Sequence, residues 1–428
     1  MKKLVWGGIV IVVVAALALW ATRALQIPVR LPAVPEQLTT RAVVPGIPNA
    51  RYWVAISTES FTRDVLTARE REVAYRASQG QSGDLPPADL LALSGGGDKG
   101  AFGSGLLNGW TASGTRPTFK AVTGVSTGAL IAPFAFLGSD YDNVLKEVFT
   151  TIGPEDILAP RGLLAVIEND GMADNQPLWG LISKHVDEAL LAAIAAEHSK
   201  GRSLLIGTTD LDARQPIIWN MGNIAESNAP GALNLFRSIL LASAAIPGAF
   251  PPTMIRVEVD GQAYDEMHVD GGASAQVFLY PPSLATAMRS LGAEVNRSGR
   301  VFVIRNSWLG PEWNPANRRT IDIAGRAISS LIQTQGFGDL YRIYLTAQRD
   351  GFEFNLAYID SELTYPPHEQ FDTGFMNALY DYGYALGRDG YPWKKVPPGL
   401  EAAALASEPS GAPSPSDQVP PATSEPPR

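Results

Sequence analysis

The residues of this chain best suited to covalent chemistry lie in Gly124-Val125-Ser126-Thr127-Gly128. Gly-x-Ser-x-Gly between an apolar strand (119–123) and an apolar helix (127–137) is the pattern of a nucleophile elbow. The turn is so tight that side chains at Gly124 and Gly128 would meet neighbouring backbone. It pushes the Ser126 hydroxyl outward, beside the positive end of a helix, where a serine can attack a carbonyl. The plainer alternative is that Ser126 only caps that helix.

A second glycine signal comes earlier, where the apolar strand Leu90-Leu91-Ala92-Leu93-Ser94 runs into Gly95-Gly96-Gly97-Asp98-Lys99-Gly100 and then a helix. Consecutive glycines let the backbone turn sharply and bring its N–H groups close to a ligand, and the following helix adds a positive dipole end. The turn suits an anion or a developing oxyanion. Its Gly-x-Gly-x-x-Gly spacing (Gly95, Gly97, Gly100) also fits a dinucleotide site, but that reading needs an acidic residue about 20 positions on. No Asp or Glu occurs from Lys99 to Ser139, so the dinucleotide reading fails. Tight strand–helix packing remains the structural alternative.

A serine nucleophile needs a base. Tyr264-Asp265-Glu266-Met267-His268-Val269-Asp270-Gly271-Gly272 predicts a strand running into Asp270, whose carboxylate the two glycines leave approachable. Taken alone, such a segment is an ordinary turn. The chain has only four histidines, His185, His198, His268 and His368. A Ser–Asp–His triad in chain order would have to use His368, in Pro366-Pro367-His368. His268 sits two residues before Asp270 and would share its strand face, as a structural residue or as a group tuning the aspartate.

Together, Gly-Gly-Gly-Asp-Lys-Gly, Gly-Val-Ser-Thr-Gly and Asp-Gly-Gly stand in the order and spacing of the bacterial patatin-like phospholipases, and Ser238 to Pro252 resembles that family's segment before the aspartate. The resemblance is clear from Leu90 to Gly272 and looser to about Arg305. It implies a Ser–Asp dyad, with Ser126 as nucleophile and Asp270 as proton acceptor. It implies an oxyanion hole from the backbone N–H groups of Gly96, Gly97 and Asp98, and hydrolysis through an acyl-serine. Lys99 stands where the family carries a basic residue, as a substrate contact or a solvated lysine. Neither a metal nor a cofactor is called for.

Strand–helix alternation must position these groups. Strands are predicted at 89–94, 119–123, 203–209, 216–220, 254–259 and 301–306, with a late one at 354–359 on a sheet edge. Helices are predicted at 62–77, capped near Thr58 or Ser60, and at 101–113, 127–137, 177–197, 232–245, 321–334 and 371–386. The expected fold is α/β, a three-layer sandwich whose mostly parallel central sheet is flanked by helices on both faces. The expected division is a signal peptide or membrane anchor at 1–25, a proline-rich linker and helix at 26–88, and a catalytic core at 89–310. A helical extension at 311–396 and a disordered proline-rich tail at 397–428 complete it.

Among 428 residues, 45% are hydrophobic, 18% are charged and none is cysteine. That excludes disulfides, thiolate metal sites and a cysteine nucleophile. A formal charge of −9 gives no footprint for nucleic acid. It also makes any membrane contact local and apolar rather than electrostatic. Met1-Lys2-Lys3 precedes 18 uncharged residues, Leu4 to Ala21, about 27 Å of helix. This predicts a cell-envelope protein, anchored in the inner membrane facing the periplasm or secreted to the periplasm. The expected function is a lipid acyl hydrolase with a phospholipid or other lipid ester as substrate and the membrane as its partner. Acyl transfer by the same dyad is one alternative, and a non-catalytic anchored lipid-binding protein is another. Apolar residues 152, 158, 163, 164, 166 and 167 suit either a lipid-facing lid or ordinary core.

Overall fold

Alternate residues of the same strands divide the core between two faces, and this fixes the layering. Leu91, Leu93, Val122, Ile206 and Ile304 point to one side, into the larger cluster. Leu90, Ala92, Val301 and Val303 point to the other. Each such leucine, isoleucine or valine contributes about 1.5–3 kcal/mol on full burial. The computed structural model describes residues 30–54, 57–161, 170–291, 297–310, 315–360, 365 and 367–400. The apolar run at 4–21 and the tail beyond 400 lie outside the described residues. Among the described residues no helix is long and apolar enough to cross a membrane.

The strands are β1 (Arg51–Trp53), β2 (Ala88–Leu93), β3 (Ala121–Val125), β4 (Ala159–Pro160), β5 (Ala173–Asp174), β6 (Ser203–Asp210), β7 (Gln215–Asn220), β8 (Thr253–Val259), β9 (Gln262–Asp270), β10 (Gly299–Trp308) and β11 (Phe352–Ile359). Apart from the small β4–β5 pair, they form one sheet of order β1-β7-β6-β3-β2-β10-β11, with β9 also on β6 and β8 on β9. The five strands from β6 to β11 are parallel. β7, β1, β9 and β8 add antiparallel pairs. The sheet is therefore mixed about a parallel centre, as expected, and the late strand β11 is its edge. The β8–β9 hairpin turns on Asp260-Gly261, both at positive φ (52° and 79°), the backbone that a two-residue hairpin needs.

The helices are α1 (Thr58–Ser78), α2 (Gly100–Ala112), α3 (Thr127–Leu137), α4 (Asp142–Thr150), α5 (Pro154–Ile157), α6 (Gln176–His185), α7 (Glu188–Ser199), α8 (Met221–Glu226), α9 (Ala232–Ser243), α10 (Leu284–Ser290), α11 (Thr320–Asp350) and α12 (Thr373–Arg388). α1, α10 and α11 cover one face through Phe61, Leu284 and Leu340. α2, α3, α9 and α12 are among those on the other.

Two helices depart from expectation. The single helix predicted at 177–197 is broken at Val186, because the Asp187 carboxylate accepts the Leu190 N–H (2.8 Å) and starts a new helix. The helix predicted to stop at Thr334 continues through Gly336 and Gly338 to Asp350. Leu340, Ile343 and Ala347 bury against the sheet and outweigh the glycines' low helix propensity, and Gly351 at φ 77° ends it. The α2–α12 contact is tight because glycines face each other's backbone. A Cβ on Gly105 or Gly109 would overlap the carbonyl of Tyr380 or Tyr384, and one on Gly383 that of Phe102.

Candidate active site

Strand register brings the site together. β3 ends at Val125, paired with Gly207 of β6, and the chain turns away at Ser126. The next β6 residue, Thr208, pairs with Asp270 of β9 while its other edge holds Ile217 of β7. β9 therefore occupies the edge that β3 has just vacated, and its last residue arrives where Ser126 leaves.

Ser126 has φ 55° and ψ −127°, a conformation that costs a non-glycine residue on the order of 1–3 kcal/mol. The surroundings hold it there. Its N–H donates to Ser243 Oγ (3.0 Å), whose hydroxyl donates to the Gly207 carbonyl (2.7 Å). The flanking glycines are needed for space: a Cβ on Gly124 would strike the Gly128 carbonyl, and one on Gly128 the Leu93 carbonyl.

Asp270 and Ser126 are both buried, and the Ser126 side chain lies near enough to the Asp270 carboxylate to lower its pKa. Asp270 Oδ1 also accepts the Gly272 N–H (2.7 Å), and the Asp270 N–H donates to the Ala245 carbonyl (2.9 Å). Gly271 presses against the Gly207 carbonyl, where a Cβ would not fit, and Gly272 packs beside Asp270 Oδ1 and Gln276. Burial pushes the Asp270 carboxyl up, the Ser126 side chain and the Gly272 N–H pull it down, and the balance is about 6.

The glycine turn lies directly against the elbow, since a Cβ on Gly95 would sit 3.1 Å from that of Ser126. The Gly95 N–H is taken by the Gln276 carbonyl (3.0 Å). A Cβ on Gly96 would overlap the Asn306 carbonyl, and Gly97 is at φ 61°. Among the described residues, neither the Gly96 nor the Gly97 N–H meets a backbone acceptor. The Asp98 N–H faces its own carboxyl group, which also accepts the Phe371 N–H (3.2 Å) and which burial raises above the usual carboxylate range. Lys99 Nζ lies 4.7 Å from the centroid of the Trp308 ring. Gly100 starts α2 against Thr127 and Phe149.

The histidines stand apart. His268 bonds Thr208 Oγ1 (3.0 Å) through Nδ1 and Glu266 (3.2 Å) through Nε2, in a buried cluster with Asp210 and Arg51. Burial would raise the Glu266 carboxyl, but Arg51 and His268 hold it down at about 2. His268 shares the strand face of Asp270 and serves this cluster instead. His368 is exposed, and its N–H donates to Asp372 (3.0 Å). Of the apolar residues proposed for a lid, Ile152 is buried and Leu158 packs against the main core. Residues 163, 164, 166 and 167 lie outside the described residues.

Sequence reasoning misses Ser243, Gln276 and Asn306. Asn306 joins the glycine turn to α2: its side chain donates to the Ser94 carbonyl (2.9 Å) and accepts the Gly103 N–H (3.1 Å). Its N–H donates to Ser94 Oγ (2.9 Å). No local motif marks Gln276 or Asn306, and the resemblance at 238–252 gives Ser243 no role of its own; the end of α9 brings Ser243 to the site and strand register brings Asn306.

Among the solved structures that resemble this chain are three of interest. VipD from Legionella pneumophila is 11% identical with a TM-score of 0.35, over 71% of this chain and 67% of that one. Human GIVD cytosolic phospholipase A2 is 11% identical with a TM-score of 0.30, over 70% of this chain and 54% of that one. The type III effector protein ExoU is 13% identical with a TM-score of 0.21, over 71% of this chain and 53% of that one. The chain thus spans about half the length of the last two, and scores this low carry no functional argument. No curated protein matches the chain in sequence. Residues 91–281, which include Ser126 and Asp270, match the family model described as Patatin-like phospholipase.

Proposed function

We propose that the protein hydrolyses carboxylic esters of lipids with Ser126 as nucleophile and Asp270 as its base. The observation that carries this reading is the register that brings the strained, buried Ser126 at the end of β3 to the buried Asp270 carboxylate at the end of β9; burial raises that carboxyl to about 6. An ordinary aspartate, near 3.9, is a weak base, and raising it toward the working pH strengthens proton transfer.

In the proposed cycle Ser126 Oγ attacks the ester carbonyl carbon while its proton passes to Asp270. The N–H groups of Gly96 and Gly97 stabilise the tetrahedral oxyanion. Collapse breaks the bond to the alcohol, which leaves with the proton from Asp270. Water then attacks the acyl-serine and gives a proton to Asp270. The fatty acid departs, and Ser126 recovers its proton. Removing one oxyanion donor typically costs about 10²–10³ in turnover, so the glycine turn rivals the base in weight. Lys99, held at Trp308 beside this turn, is the proposed counter-charge for a lipid phosphate. The apolar run at 4–21 is proposed to tether the domain on the periplasmic side of the inner membrane, or to direct its secretion, so that substrate comes from the membrane. The test is hydrolysis of a panel of phospholipids and neutral esters by the wild type, Ser126→Ala and Asp270→Ala. Ester cleavage that survives Ser126→Ala would overturn the reading.

A further inference from the structure

A cavity of about 720 Å³ lies at the end of the sheet opposite Ser126, where the parallel strands begin. Its floor is Leu90, Ala121 and Leu205, and its roof includes Phe61 and Val65 of α1 and Met288 of α10. Ala121 is five residues from Ser126 along β3, about 16 Å. The space is a half-open cleft, with solvent-exposed Asp84 in its wall, rather than a sealed interior void. It falls within the roughly 300–1,000 Å³ of small-molecule sites.

Most of the charged groups around it are already engaged. Lys120 (2.6 Å) and Arg297 (2.7 Å) both pair with Glu72. Arg71 pairs with Glu226 (2.6 Å), and Asp350 with Arg349 (2.6 Å). The Asp64 carboxylate accepts from Asn223 (2.7 Å), Asn220 and the Tyr52 hydroxyl. Asp84 is exposed to solvent. A charged ligand would have to break these pairs, whereas an aliphatic chain needs only the apolar floor and roof. Thr67, Ser203 and Ser298 in the wall are partners for a hydroxyl or an ester carbonyl.

We propose that this cavity is a second, non-catalytic lipid site that takes one long aliphatic chain bearing an uncharged polar head. The proposal does not depend on Ser126 being a nucleophile. The probe is dodecanol, titrated calorimetrically into the full-length protein carrying Ser126→Ala, so that no covalent chemistry intervenes. One-to-one binding is expected, weakened at least 10-fold by Ala285→Trp or Ala121→Trp, each of which fills the cavity. Dodecanoate at pH 8 is expected to bind no more tightly than dodecanol. Should both tryptophan variants fail to fold, a diazirine-bearing dodecanol cross-linked to the parent protein is expected to mark peptides of α1 or α10. Absence of binding, binding unchanged in the folded tryptophan variants, dodecanoate binding 10-fold tighter, or cross-links confined to the surroundings of residue 126 would each overturn the proposal.

Discussion

The two ends of the parallel sheet are built on opposite principles. Where the strands finish, backbone presses on backbone: Gly96 on Asn306, Gly128 on Leu93 and Gly271 on Gly207, each with no room for a methyl group. Where the strands begin, the same sheet leaves about 720 Å³ unfilled beneath α1 and α10. Catalysis by amides and a strained serine demands fixed positions, since misplacement of about 1 Å can cost 10²-fold. A site for a flexible chain demands volume. The strand-start end has close backbone contacts too, Gly201 on Ala68 and Gly299 on Ala88, but it leaves open space beside them that the catalytic end does not.

The comparison breaks first at the dyad. Ser126→Ala is expected to lower ester turnover by at least about 10⁴-fold with the fold retained, as measured by hydrolysis and thermal unfolding. Asp270→Asn is expected to lower it by a similar order while stabilising the protein at pH 8. The sign follows from the raised carboxyl. Protonation of Asp270 favours the folded state. That contribution is full below its unfolded value near 4 and is lost as pH rises through about 6, so at pH 8 the buried charge is pure cost. A shift of about two units corresponds to roughly 3 kcal/mol, and a gain of about 1–3 kcal/mol in denaturant unfolding is the outcome to look for.

One added methyl group sharpens the contrast between the ends. Gly96→Ala is expected to cost about 1–3 kcal/mol of stability and about 10²-fold in turnover, because its Cβ meets the Asn306 carbonyl and displaces an oxyanion donor. Ala121→Val, which adds two carbons at the cavity floor, is expected to be neutral or to stabilise by up to about 1 kcal/mol. Equal losses in paired denaturation curves would show that the two ends are packed alike. A smaller effect is expected at Ser243→Ala, which leaves the Ser126 N–H without its acceptor. About 1–3 kcal/mol of stability is at stake, and turnover is expected to fall about 10-fold as the elbow relaxes.

What the sequence reveals follows the same division. Ser126, Gly95 to Gly100 and Asp270-Gly271-Gly272 are legible because a strained turn or a close backbone approach restricts residue type locally. The parallel centre is legible from apolar runs alternating with helical ones. The antiparallel flank is not, although it carries Asp270 to Ser126, because its pairing depends on where β3 ends along β6. Ser243 and Asn306 look like any helical serine or strand-end asparagine until that register places them. The length of α11 depends on tertiary burial of Leu340, Ile343 and Ala347 that local propensity does not report. The cavity leaves no trace in the sequence, because it is bounded by residues from nine separated segments of the chain.

The most direct test of the dyad is the rate at which a fluorophosphonate modifies Ser126 as pH is varied, read by peptide mass spectrometry. Modification is expected to be confined to Ser126, absent in Ser126→Ala, rising with pH through a midpoint near 6, and slowed at least about 10²-fold with that midpoint lost in Asp270→Asn. Modification of Asp270→Asn at the wild-type rate, or none at Ser126 in the wild type, would contradict the dyad.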